Sequence, residues 1–219
     1  MITTEQFNEL YSKFHKTYKV TKKNLSSVNK LSLQLIEPIE SIITEVGATE
    51  CREGCTHCCN LRVVAFPHEI ISIYLFLKNT LSKGDLREIK EKILTQYSII
   101  EPLTKDEHFT TNVECPLLIN NKCSVYPVRP ISCAGYHSLS EAVCIDSNNN
   151  PEIVGAEDGG IPQIETIQEE LSVQHAVATQ VIERNKDDVE QYELIMALYN
   201  VFKKPALIQK WKSGRKLLK

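Results

Sequence analysis

The sequence predicts an all-α fold, a helical bundle wrapped around an irregular, cysteine-rich metal-binding core. Three observations predict it. Apolar residues recur at helical spacing through the first and last thirds of the 219-residue chain. The middle stretch, 103–163, is interrupted by five prolines and by turn pairs such as Asn120-Asn121. All eight cysteines avoid the long helical runs and gather at 51–59 and 115–144.

Taken in order, Phe7, Leu10, Tyr11, Phe14 and Tyr18 predict a first helix behind a Thr3 or Thr4 cap. Leu25, Val28, Leu35, Ile39, Ile42 and Val46 predict a second, which Pro38 should kink or restart and Gly47 should end. Pro67 opens a helix that is apolar on nearly every side, from Ile70 to Leu77, and such a helix must be buried. Ser82 or Asp85 caps the next, carrying Leu86, Ile89, Ile93, Tyr97 and Ile100. Within 103–163 the expectation is irregular chain with a hairpin around 117–125 and a short helix near 127–133. The stripes Ile167, Leu171, Ala178, Val181, Ile182 and Tyr192, Ile195, Met196, Tyr199, Phe202 return the chain to helix. In domain terms this gives a helical extension over 1–48, a cysteine-cluster domain over 49–214 and a basic tail over 215–219.

Composition narrows the function classes. With 42% hydrophobic and 24% charged residues the chain can build a core. A net charge of -3 does not suggest a nucleic-acid binder. Glu5 and Glu9 interrupt the start, so no signal peptide is visible, and no apolar run approaches the roughly 20 residues of a membrane span. The expected location is the cytoplasm, where disulfides are disfavoured and clustered cysteines read first as metal ligands or redox thiols.

The two groups are Cys51, Cys55, Cys58, Cys59 and Cys115, Cys123, Cys133, Cys144. If 51–59 were helical, the first four thiols would share one face spread over about 12 Å, too long for a single zinc with Zn–S near 2.3 Å. Adjacent Cys58 and Cys59 point in different directions in either helix or strand. The spacing therefore favours a polynuclear iron–sulfur cluster, or two sites that each draw on both groups, with zinc as the other candidate metal. Arg52, Arg62, Lys122 and Arg129 are placed to offset thiolate charge. Tyr126, Arg129 and His137 are expected around the ligands, Arg129 bonding sulfur or backbone carbonyls. His57 is a further imidazole beside the thiols, while His15, His68, His108 and His175 read as surface or capping residues. If both groups converge, they close the chain over about 55 residues and order the 103–163 region, so metal removal should partly unfold it.

The strings CREGCTHCC at 51–59, CPLLINNKCSVYPVRPISC at 115–133 and AGYHSLSEAVC at 134–144 resemble the YkgJ-type cysteine-cluster family, a zinc- or iron-chelating domain. The stretch YELIMALYNVFKKPALIQKWKSG at 192–214 is similar to that family's closing helices. A relative with a similar cysteine pattern is the flagellin lysine N-methylase, an iron–sulfur protein. The resemblance thus implies metal as partner and admits a protein partner or substrate. Three classes follow: a metal-binding protein with a redox, metal-handling or structural role, a lysine N-methylase-like enzyme, and a zinc-stabilised interaction scaffold.

Two other signals weigh less. Cys51, Cys55 and Cys58 have the spacing of the radical S-adenosylmethionine motif, but helices flank them and no alternating strand–helix pattern follows. Gly155 and Gly159-Gly160 bracket Glu157 and Asp158, which a phosphate cradle would not want, and read as a loop. From Lys203 onward the chain holds seven Lys/Arg and no acid, with Trp211 among them, and this reads as a solvated helix face with capacity for an anionic partner.

Overall fold

The computed structural model describes residues 2–47, 50–52, 54–151 and 161–218. Its helices are α1 (Thr4–Lys23), α2 (Val28–Val46), α3 (Pro67–Thr80), α4 (Lys83–Ile100), α5 (Lys105–Phe109), α6 (Ile131–Ala134), α7 (Glu141–Asn149), α8 (Glu165–Arg184), α9 (Leu194–Lys203) and α10 (Ala206–Lys212). Four two-residue strands complete it: β1 (Val64–Ala65), β2 (Leu118–Ile119), β3 (Lys122–Cys123) and β4 (Tyr192–Glu193). The fold is predominantly helical, as predicted, and the glycine loop around 155–160 lies outside the described residues.

Local chemistry sets most helix ends. Thr3 accepts from the Gln6 N–H while the Gln6 side chain accepts from the Thr3 N–H, closing a reciprocal cap on α1. Ser82 accepts from the Asp85 N–H at the start of α4. Gly47 ends α2 at φ 65°, a conformation glycine takes without strain. Pro38 lies inside α2, which continues through it to Val46. The chain restarts earlier, at a short 3₁₀ turn over Leu25–Ser27.

Helix α3 is the centre of the bundle. Ile70, Ile71, Ile73 and Leu77 are fully buried, each contributing about 2 kcal/mol of transfer free energy. Around it α1, α2, α8 and α9 pack in one continuous core that includes Phe14, Tyr18, Leu35, Val181 and Leu198. Tyr192 is not on α9 as its spacing suggested. It pairs with Ala65 in the antiparallel β1–β4 ribbon, which ties the chain just after Cys59 to the last third.

Two expectations about surface residues are corrected. His68 and His108 are buried rather than exposed. His68 follows Pro67 on the inward face of α3 and lies among Phe14, Tyr18 and Phe66, stacked on the last at 5.7 Å. Trp211 and Leu217 in the basic C-terminal stretch are also core residues. Trp211 meets the Tyr18 ring edge-on, with Lys22 Nζ over its own ring at 4.2 Å, so the tryptophan is not available to a surface partner. The Leu217 N–H donates to Asp188 Oδ2 at 2.8 Å.

The middle region is richer in structure than an irregular loop. The hairpin β2–β3 forms where expected, with Asn120 and Asn121 at φ 51° and 60°, the left-handed pair a two-residue turn requires. A 3₁₀ turn at Tyr126–Val128 and helix α6 occupy the stretch predicted as a short helix. Helices α5 and α7 were not anticipated. Each begins at a hydroxyl cap, Thr104 and Ser140.

Candidate metal centre

The segment carrying the first four cysteines is not an α-helix. Gly54 stands at φ +88°, the Cys55 N–H turns back to the Arg52 carbonyl at 3.0 Å, and a 3₁₀ turn spans His57–Asn60. The rod-like spread of thiols that a helix would impose therefore does not arise. Instead the chain folds on itself and meets the second group directly. The Cys115 N–H donates to the Cys59 carbonyl at 2.7 Å, and the Val113 N–H to the Asn60 carbonyl at 3.1 Å.

Each remaining cysteine comes in on a defined element. Cys123 is on β3, its register fixed opposite Leu118. Cys133 is on α6, whose first N–H, that of Ile131, donates to Glu69 Oε1 at 2.8 Å. Glu69 Oε2 accepts from the Phe66 N–H at 2.8 Å, so one buried carboxylate clamps the start of α3 to the start of α6. Burial pushes the Glu69 carboxyl up to about 7. Cys144 is on α7, three residues after Glu141, which puts the two on one helix face. The eight cysteines stand as thiols, not disulfides.

Electrostatic neighbours sort the thiols. Burial raises Cys51, and the charges of Cys55, Cys58 and Cys144 raise it further. Burial likewise raises Cys144, to which Cys55 and Cys58 add. Cys133 is pushed well above the ordinary thiol range by burial, then by Cys115, Cys58 and Cys123. Burial pushes Cys115 up to about 12, with Cys123 and Cys58 adding to it. Two sets emerge: an outer one of Cys51, Cys55 and Cys144, and an inner one of Cys115, Cys123 and Cys133. Cys58 acts on members of both and is hydrogen-bonded to Cys59, the principal cause of its own upward shift. The inner thiols Cys115, Cys123 and Cys133 are partly buried.

The predicted surrounding residues are placed as follows. Arg129 donates to the Tyr126 carbonyl at 2.7 Å and to Glu40 Oε1 at 3.0 Å, and its guanidinium lies 3.8 Å over the Tyr126 ring. Its charge also draws the Cys123 thiol downward against burial. His137 is near Arg129 and Glu40, and its Nδ1 is buried without a hydrogen-bond partner among the described residues. Arg62 lies over the Phe109 ring at 5.0 Å. Arg52 forms a two-pronged pair with Glu141, both contacts 2.6 Å. Lys122 is exposed on β3.

Sequence reasoning missed Glu141, Glu50, Ser138 and Tyr136. Glu50, Ser138 and Glu141 line a recess with Cys51, Cys55 and Cys144. Burial raises the Tyr136 phenol, and the charges of Cys144, Cys58 and Cys51 raise it further. Only Glu141 had a legible signal, its i,i+3 spacing to Cys144. His57, the imidazole beside the thiols, comes together with Cys55 and Glu141 so that one donor atom of each lies within 4.8 Å of the others.

A hairpin, two short helices and a turn thus deliver thiols to one place, the arrangement of a cysteine-rich chelating domain. Residues 50–153 match the model of the CxxCxxCC family, described as "Putative zinc- or iron-chelating domain". No curated protein and no solved structure matches the chain. Among the described residues no helix is long and apolar enough to cross a membrane.

Proposed function

We propose that the eight cysteines chelate metal as thiolates, with Cys58, Cys115, Cys123 and Cys133 around an iron–sulfur cluster, Cys59 beside Cys58, and Cys51, Cys55 and Cys144 as an outer set beside it. One observation carries this reading: the Cys115 N–H donates to the Cys59 carbonyl at 2.7 Å, which joins the Cys58-Cys59 pair directly to the second group of cysteines. A thiol placed between two groups, next to a second cysteine in sequence, suits a polynuclear centre better than one tetrahedral ion. Zinc remains the competing metal, since an all-thiolate set suits both. Tyr126, Arg129 and His137 are proposed as supports. Arg129 supplies positive charge near Cys123, while its bonds to Tyr126 and Glu40 fix its position.

The inner thiols are held neutral by burial, so loading must release their protons, and affinity should fall as pH falls. The role expected of such a centre is electron transfer, metal handling or ordering of the fold. The test is an ultraviolet–visible spectrum with iron, sulfide and zinc analysis of anaerobically purified protein, wild type and Cys133→Ser. Broad absorbance near about 400 nm that Cys133→Ser abolishes is expected. Stoichiometric zinc without colour would overturn the cluster, and no metal at all would overturn the chelation reading.

A further inference from the structure

We propose that Cys55, His57 and Glu141 form a separate, mixed-donor site for a divalent transition cation of the zinc or ferrous class, open to solvent at the edge of the thiol centre. The proposal rests on the reading above that the inner thiols hold their own metal. It goes beyond that reading by taking Cys55 out of an all-thiolate set and adding a nitrogen and an oxygen donor.

The geometry is specific. One donor atom from each of the three residues lies within 4.8 Å of the other two. His57 Nε2 is 3.9 Å from Glu141 Oε1. A cation with Zn–S of about 2.3 Å and Zn–N and Zn–O near 2.1 Å would hold such donors roughly 3.4–3.7 Å apart, so closure needs only small side-chain movements. Sulfur, imidazole and carboxylate together suit a borderline cation and suit calcium or magnesium poorly.

The surroundings are those of a supported ligand set. Arg52 grips both oxygens of Glu141 at 2.6 Å, and the Glu141 N–H is bonded to the Glu50 carboxylate, so the carboxylate's position is fixed before any cation arrives. When Glu141 Oε1 turns to the cation, Oε2 can keep its bond to Arg52, the outer partner that orients a ligating carboxylate. The side chains of His57 and Glu141 retain 28% and 26% of their exposure, so a hydrated cation reaches them directly. Three protein donors leave a fourth position for water or an incoming ligand, the pattern of open rather than structural zinc sites. Two of the donors, Cys55 and Glu141, also line the recess that holds Cys51 and Cys144. Binding replaces the Cys55 S–H bond with an S–metal bond and gives the proton to solvent, while His57 contributes a ring-nitrogen lone pair.

The test adds zinc to the full-length protein as purified with its tightly held metal, and measures bound zinc by equilibrium dialysis. One extra zinc equivalent is expected, weaker than the resident metal. The pair His57→Ala and Glu141→Gln should weaken it at least tenfold while leaving the circular dichroism and the tightly held metal unchanged, and Arg52→Ala should weaken it severalfold. Retention of the extra equivalent in the double variant with unaltered affinity would overturn the site, as would its loss in Cys51→Ser or Cys144→Ser but not in the double variant. Cys133→Ser separates the two readings. If it strips the tightly held metal while wild type takes up no extra zinc, the inner centre stands and the outer site falls. If it strips nothing, the reading beneath both fails.

Discussion

At the residue scale the molecule holds two adjacent buried titratable groups whose pH responses oppose each other. His68 is sealed among aromatic rings, neither ring nitrogen has a hydrogen-bond partner among the described residues, and burial pushes its pKa down to about 3. Its neighbour Glu69 is pushed up to about 7. Below its ordinary value of 6.5 the unfolded histidine takes up a proton that the folded one refuses, so stability falls as pH drops from about 6.5 toward 3. Glu69 works the other way. The unfolded carboxyl releases its proton from about 4.5, the folded one near 7, so its stabilisation is complete below 4.5 and is lost as pH rises through 7. The two slopes cancel over the shared window of roughly 4.5 to 6.5, and acid destabilisation by His68 appears only below it. We predict that His68→Phe differs from wild type by an amount that shifts with pH, favouring the variant by on the order of 3 kcal/mol more at pH 4 than at pH 7. Comparing urea midpoints of the two proteins cancels what they share, including acid loss of metal. A difference independent of pH would show that His68 titrates normally. The sequence placed the cysteines but not this pair. Thiol clustering is visible as letters, whereas the burial of His68 depends on which face of α3 turns inward, and α3 is apolar on nearly all its faces.

At the scale of elements, α6 is the piece that brings Cys133 to the centre, and its seat against α8 and its bond to Glu69 both help to hold it. Gly135, just past its end, lets α6 lie against α8. A Cβ there would stand 2.8 Å from Leu171 Cδ2 and 3.1 Å from Leu171 Cβ. The Gln168 side chain also donates to the Gly135 carbonyl at 2.8 Å. Gly135→Ala should therefore destabilise by about 1–3 kcal/mol through overpacking. Combined with Leu171→Ala it should cost less than the sum of the two single changes, because the smaller partner removes the clash. Additive costs in urea unfolding would count against the contact. The second hold is Glu69. Glu69→Ala leaves the N–H groups of Phe66 and Ile131 without their acceptor, each costing about 1–3 kcal/mol, and we expect reduced metal content as Cys133 loses its anchor. Unchanged metal content in that variant would show that α6 is held without the clamp. Elements with strong local codes were legible: the capped helices α1 and α4, buried α3, and the Asn120-Asn121 hairpin. The β1–β4 ribbon was not, because two-residue strands 128 positions apart carry no period. Helix α7 was hidden by its mixed face.

At the scale of the whole molecule, two kinds of order meet. The bundle of α1, α2, α3, α8 and α9 buries long apolar faces against one another and has its own reason to fold. The stretch from Cys115 to Ala134 is built from a hairpin of two-residue strands, a 3₁₀ turn and a four-residue helix, elements too short to persist alone. Some of it reaches the core, through Leu117, Val125, Val128 and Ile131, so the cysteine region is fastened at its apolar residues and, in the proposed centre, at its thiols as well. Removing metal should cut only the second fastening. Hydrogen exchange on protein that has been reduced and thoroughly chelated should then show protection lost first across 113–144 and the 55–61 turn. Amides of α2, α3 and α8 should stay protected, and most of the helical circular dichroism should remain. The loss should lower the melting temperature and reverse when metal is restored anaerobically. Uniform loss of protection across all helices would make the metal the nucleus of the entire fold, and no change in 113–144 would mean that the apolar residues hold that region unaided. The graded outcome follows from the distribution of burial: the bundle's deepest side chains lie in long helices, and the thiols other than Cys144 lie on turns, a two-residue strand and a four-residue helix.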